Sequence, residues 1–127
     1  MADQSRQPAA LTADKSPDPW DGLEPGFVRD AAADRLKALG HHDRLRIVEV
    51  LARRCLTVSE IAAAVRLPHA TVSRHLRVLD AADIVRSSRS GNFVSYVLAD
   101  SDVVRLALLA YRGAGRQARR RLTITER

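Results

Sequence analysis

Ser73, Arg74 and Arg77 stand within five residues of one another in the stretch PHATVSRHLRVLDAADIVRSSRSGNFVSYV, and Arg86 and Arg89 follow a little further on. Hydroxyl and guanidinium groups in this pattern carry no covalent chemistry. They are good donors to a surface crowded with acceptors and negative charge, and an arginine grips guanine N7 and O6 with two parallel hydrogen bonds. The pattern therefore points to binding a polyanion rather than to catalysis.

Residues that serve other chemistries are scattered. The chain has no Gly-rich phosphate loop, no metal-ligand cluster along its sequence and no Ser/His/Asp set, so neither an enzyme nor a bound cofactor is expected. Its single cysteine, Cys55, cannot form an internal disulfide, which agrees with a reducing compartment. A thiol switch needs a lowered pKa or a resolving partner, so a buried or idle Cys55 is the expectation.

Helical periodicity identifies the elements that must carry the cationic residues. Val28, Ala32, Leu36 and Leu39 recur at three or four from Phe27 onward and Gly40 supplies a stop. Leu45, Val48, Leu51 and Ala52 share a face of a second helix, with Arg53 and Arg54 at its negative end. Thr57-Val58-Ser59-Glu60 has the form of a capping box and opens a third helix on Val58, Ile61, Ala62 and Val65. After the turn Arg66-Leu67-Pro68, a fourth helix is predicted from about His69 to Asp80. At about 100° per residue, its Val72, Leu76 and Leu79 fall on one side, Ala70, Ser73, Arg74 and Arg77 on the other, and His75 on the flank. Two short helices on a tight turn make a helix-turn-helix.

Beyond it, Ile84 and Val85, then Ser-Gly-Asn, then Phe93, Val94, Tyr96 and Leu98 spell a β-hairpin with Arg89 near the tip. Such a wing can place an arginine on backbone phosphate or in an adjacent minor groove. The fold class is thus mainly α, a winged helix-turn-helix of about five helices and a two-stranded wing. The helix from Val103 to Ala110 is apolar nearly all round apart from Arg105, and it is expected to end near Gly113-Ala114-Gly115. One short chain has no means of covering every side of it, which predicts a homodimer with Val28, Val103, Leu106, Leu109 and Ala110 as contacts.

With 127 residues and 46% hydrophobic content the chain fits one core. Residues 1–26 hold Asp3, Asp14, Asp18, Asp21 and Glu24 against Arg6 and Lys15, a net of −3, which leaves +9 for residues 27–127 out of the whole-chain +6. A folded part this basic favours nucleic acid as partner. The expected organisation is a disordered, proline-rich acidic tail (1–26) in which Trp20 is weakly attached, a DNA-binding and dimerisation domain (27–112), and a basic C-terminal tail (113–127). No secretory signal is visible at the start and no apolar run reaches the roughly 18 residues of a membrane span, so a cytoplasmic protein with no membrane partner is expected.

From Arg35 to Tyr111 the chain resembles the ArsR/SmtB winged-helix repressors of bacteria. LKALGHHDRLRIVEVL, LTVSEIAAAVRLPHATVSRHLRVLDAADIV and RSGNFVSYVL carry the likeness, above all Ser73-Arg74-His75-Leu76 followed by Val78-Leu79. The resemblance implies a homodimer formed by the first and last helices, double-stranded DNA as partner, and repression by occupying a promoter. It also places His69, Thr71, Ser73, Arg74 and His75 at DNA-contacting positions. Many members of the family sense metals, and here this chain departs. Thr57 and Ser59 stand where the family's third-helix motif has its ligand cysteines, while Gly113 and Arg116 replace ligands in the last-helix motif that begins at Asp100 and Asp102. Hydroxyls bind thiophilic ions poorly and Arg116 repels a cation. Neither familiar metal site is expected, His41 and His42 read as local capping groups, and no inducer is specified. Two alternatives stand beside the repressor: a sensor with an unfamiliar metal or thiol site, and a winged-helix interaction module without DNA function, which would tolerate loss of Arg74 and Arg89.

Overall fold

The computed structural model describes residues 17–23 and 25–125. Among them, the chain runs α1 (Pro25–Leu39), α2 (His42–Leu51), β1 (Leu56–Thr57), α3 (Val58–Val65), α4 (His69–Ala81), β2 (Val85–Ser90), β3 (Phe93–Leu98) and α5 (Ser101–Thr125). Most of the expected acidic tail lies outside the described residues. Its last part forms a turn, in which the Trp20 N–H donates to Asp18 Oδ1 at 3.0 Å and the Leu23 N–H to the Trp20 carbonyl at 3.2 Å. Trp20 itself is largely exposed and faces a groove lined by Leu23, Val28, Arg29 and Ala32.

The core is one cluster built where the helical stripes meet the root of the hairpin. Ile47, Ile61, Val72, Leu79, Ile84, Val85 and Val103 are 0% exposed, and Val48, Leu51, Leu56, Val65 and Leu76 nearly so. Each such aliphatic side chain contributes about 1.5–3 kcal/mol relative to leaving it in water. Because α4 spends Val72, Leu76 and Leu79 on this core, its orientation, and so the direction of its opposite face, is fixed by packing.

Local chemistry sets the joints. Arg44 donates from Nε to the Ala38 carbonyl and more weakly to that of Lys37, closing the end of α1. The capping box is present in full: Glu60 N–H to Thr57 Oγ1 at 3.2 Å and Thr57 N–H to Glu60 Oε1 at 2.9 Å. The Thr57 N–H that this carboxylate accepts, helped by the Thr57 side chain, holds the Glu60 carboxyl below its ordinary pKa. The α3–α4 turn passes through Arg66 at φ 58°, a left-handed helix end without a glycine. Asp83, also at φ 58°, ends α4, and the Ile84 N–H returns to the Leu79 carbonyl at 2.9 Å.

The sheet has three antiparallel strands in the order β1-β3-β2, one more than the hairpin predicted from sequence. Leu56 pairs with Tyr96 and Thr57 with Ser95, so a two-residue strand ties the start of α3 to the root of the wing. Within the hairpin Val85 faces Leu98 and Ser90 faces Phe93, leaving Gly91-Asn92 as the loop. Gly91 sits at φ +60°, as the first central position of a type II′ turn requires.

The last helix departs from expectation. It does not stop at Gly113-Ala114-Gly115 but continues to Thr125, so the boundary predicted at 112–113 falls inside a continuous helix of roughly 37 Å. Glycine ends a helix when it takes positive φ, and these two do not. Each costs about 1 kcal/mol against alanine, and the run of Ala, Arg, Gln and Leu around them consists of strong helix formers. Asp100 caps this helix, accepting from the N–H groups of Asp102 and Val103 at 3.0 and 3.2 Å.

Candidate nucleic-acid interface

The second helix of the helix-turn-helix, α4, presents what the face sorting predicted. Ala70, Arg74 and Arg77 are exposed and Ser73 is half-buried at the edge of the same face, opposite Val72, Leu76 and Leu79. His69 is exposed in the first turn and Thr71 is half-buried beside it. Pro68 precedes the helix without a side-chain cap, so the first N–H groups of α4 stay open at the end where His69 stands.

On the wing, Arg89 is exposed and pairs in register with Val94, one step from the loop. Arg86 sits at the other end of β2 and its Nε lies 4.0 Å from Asp83 Oδ1, so it belongs to the root of the wing. Among the described residues, Arg74, Arg77 and Arg89 form neither an ion pair nor a side-chain hydrogen bond. Their donors are uncommitted, on two adjacent protrusions of a basic chain.

His75 takes a different direction from Ser73 and Arg74. It is half-buried, its ring centroid 4.7 Å from that of His41, with the planes inclined at 51°. Burial lowers its pKa, helped by the neighbouring His41 and Arg44. His41 caps α2, its Nδ1 accepting from the Asp43 N–H at 3.1 Å, as a local capping role predicted. The Asp43 carboxylate then meets His42 Nδ1 at 3.3 Å and Arg46 at 3.7 Å, and the His42 hydrogen bond holds its pKa below the ordinary value. Ligating atoms of His41, Asp43 and His75 all lie within 4.8 Å of one another. No cluster is visible along the sequence because 32 positions separate Asp43 from His75 and only the packing of α4 on α2 closes the gap.

The predicted dimer contacts divide. Val103 is fully buried in its own protomer and is a core residue, not a contact; Leu106 is half-buried against the same core. Leu109 is 63% exposed, Leu108 45%, and Ala110 is exposed, while Val28 is half-buried in the groove beside Trp20. Along the same helix Leu122 and Ile124 are exposed as well. Cys55 is exposed, so of the two expectations for it, buried or idle, burial does not hold. The structure adds Tyr111, whose hydroxyl donates to Glu49 Oε1 at 2.6 Å and joins α5 to α2; burial and this acceptor push its pKa up to about 12.

A helix-turn-helix domain model matches residues 39–88, from the end of α1 into the wing. The chain is also 38% identical over 94 residues to the HTH-type transcriptional repressor SmtB of Mycobacterium tuberculosis, a match covering 74% of this chain and 70% of that one. The chain belongs to the ArsR/SmtB family. Among solved structures it is similar to a homodimeric winged helix-turn-helix DNA-binding domain from Mycobacterium bovis, at TM-score 0.67 and 31% identity over 73% of this chain and 86% of that one. It also resembles the transcriptional repressor PagR of Bacillus anthracis, at TM-score 0.60 and 28% identity over 66% and 97%. The fold and the regulator class expected of an ArsR/SmtB member are those the chain has. No helix among the described residues is long and apolar enough to cross a membrane.

Proposed function

We propose that the protein is a cytoplasmic dimeric repressor that occupies an inverted-repeat operator in double-stranded DNA. The observation that carries this reading is the outward face of α4, where Ser73, Arg74 and Arg77 stand on a helix whose other face is locked into the core. A two-fold dimer sets two such helices about 34 Å apart, one turn of the duplex, so that each enters a successive major groove. Arg74 reads a base edge and Arg77 and His69 fix the helix on the backbone. Arg89 at the wing tip meets phosphate or the minor groove, and Arg86 at the wing root serves mainly to neutralise Asp83. Thr71 lies at the margin of the footprint, and His75, turned toward His41, supports the helix from its flank.

The second copy covers α5 around Leu108, Leu109 and Ala110, and also Val28 of α1. The homodimeric state of the M. bovis neighbour supports this assembly. At the two positions where the family's familiar metal sites occur, the chain offers Thr57, Ser59, Gly113 and Arg116, and Thr57 is already spent as a helix cap. The operator is therefore not released by zinc, cadmium or arsenite through those positions.

Selection of genomic fragments by the purified protein, followed by footprinting, tests the reading. A protected inverted repeat with half-sites one helical turn apart is the expected result. Diffuse, length-dependent protection with no preferred sequence contradicts it, and the absence of any protection favours the interaction module.

A further inference from the structure

We propose that His41, Asp43 and His75 form a binding site for a first-row divalent cation of the zinc type, joining the start of α2 to the helix that carries Arg74. The three side chains offer two imidazoles and one carboxylate, a donor set suited to zinc, cobalt or nickel and leaving a position open for water. Their ligating atoms lie within 4.8 Å of one another, and all three side chains are half-buried. A tetrahedral ion with bonds of about 2.0–2.1 Å separates its ligand atoms by roughly 3.4 Å. Closing the set thus takes side-chain rotations and no movement of the helices.

Burial lowers the proton affinity of His75, so its ring presents a lone pair at neutral pH. Arg44 also acts on that ring as a positive charge while donating to the carbonyls of Ala38 and Lys37, so the ion loads against one neighbouring guanidinium whose donors are already engaged. The Asp43 carboxylate, held below its ordinary pKa, already meets His42 Nδ1 at 3.3 Å and Arg46 at 3.7 Å, contacts that the ion replaces. The cap of α2 uses His41 Nδ1, which accepts from the Asp43 N–H, and leaves Nε2 of the same ring outside that bond. Nothing in this site uses Thr57, Ser59, Asp100 or Arg116.

The inference does not rest on the repressor reading, and its test involves no DNA. Chelator-treated full-length protein is titrated with Co²⁺ while visible absorption is followed. The expected result is one ion per chain, with the ligand-field bands of a low-coordinate nitrogen/oxygen site that Zn²⁺ abolishes. His41→Asn, which keeps a capping side chain, and His75→Gln are each expected to weaken binding at least roughly tenfold, as loss of a ligand should, while His69→Gln leaves it unchanged. In the wild type, Co²⁺ should broaden the imidazole NMR signals of His41 and His75 and spare those of His69. That measurement also decides the matter should a variant fail to fold. Absence of stoichiometric binding overturns the site, and so does binding that survives both substitutions or leaves the His41 and His75 signals untouched.

Discussion

Helices α4 and α5 both carry a buried apolar stripe and an exposed remainder, yet the remainders differ in kind. Opposite Val72, Leu76 and Leu79, α4 shows Ala70, Arg74 and Arg77; opposite Val103 and Ala107, α5 shows Leu108 and Leu109. The first surface is content in water and gains by meeting a polyanion, because releasing counterions from phosphate is favourable. The second loses by remaining in water and gains by meeting another apolar surface. One chain thus carries two surfaces of opposite chemistry, and in the proposed dimer they act together, since only a pair of chains would place two α4 helices on one face of a duplex.

The comparison breaks most severely at the shared core. Leu79→Ala, at 0% exposure, is expected to cost about 2–5 kcal/mol in urea unfolding, because the helix that bears the arginines is held by that stripe. If stability is unchanged, α4 is not anchored as described. Next in size, Arg74→Ala is expected to cost roughly 1–3 kcal/mol of operator affinity and to relax base preference at one position. Arg89→Ala should instead weaken all sequences alike and lower the salt slope by about 1, as read in titrations at several salt concentrations. Equal loss of base preference from both would erase the division between helix and wing.

Smaller effects sharpen the picture. Gly91→Ala is expected to cost about 1 kcal/mol of stability through its left-handed backbone, since no atom lies within 4 Å of the added carbon, with base preference intact. For His75 the folded pKa lies below the unfolded value, so the folded protein binds that proton less tightly. Stability is then whole above about pH 6.5 and declines as pH falls through that value, levelling off below the folded pKa. His75→Gln should flatten the part of the thermal-melting profile that declines just below about pH 6.5.

What the sequence discloses follows from the range of the interactions involved. The faces of α4, the Thr57–Glu60 box and the Gly91 turn depend on residues within one or two turns of each other, and periodicity reads them directly. Strand β1 was hidden because two residues carry no alternation, and its partners Ser95 and Tyr96 lie some forty positions away. The continuation of α5 is not legible because Gly113 and Gly115 have the look of a stop, while the surrounding helix formers outweigh them. The sequence cannot separate Val103 from a dimer contact, because an apolar residue looks the same whether its own core or a second chain covers it. The pairing of His41 with His75 required the packing of two helices, which no local pattern encodes.

The central claim is that the exposed side of α5 joins two chains so that two α4 helices reach DNA together, and Leu109→Glu examined by sedimentation with an operator titration tests it most directly. Leu109 is 63% exposed in its protomer, so the charge leaves the protomer folded but must be buried unpaired in the dimer. The expected product is a monomer with wild-type far-ultraviolet circular dichroism that no longer binds the full inverted repeat tightly. A variant that still sediments as a dimer and holds the operator with wild-type affinity would contradict it.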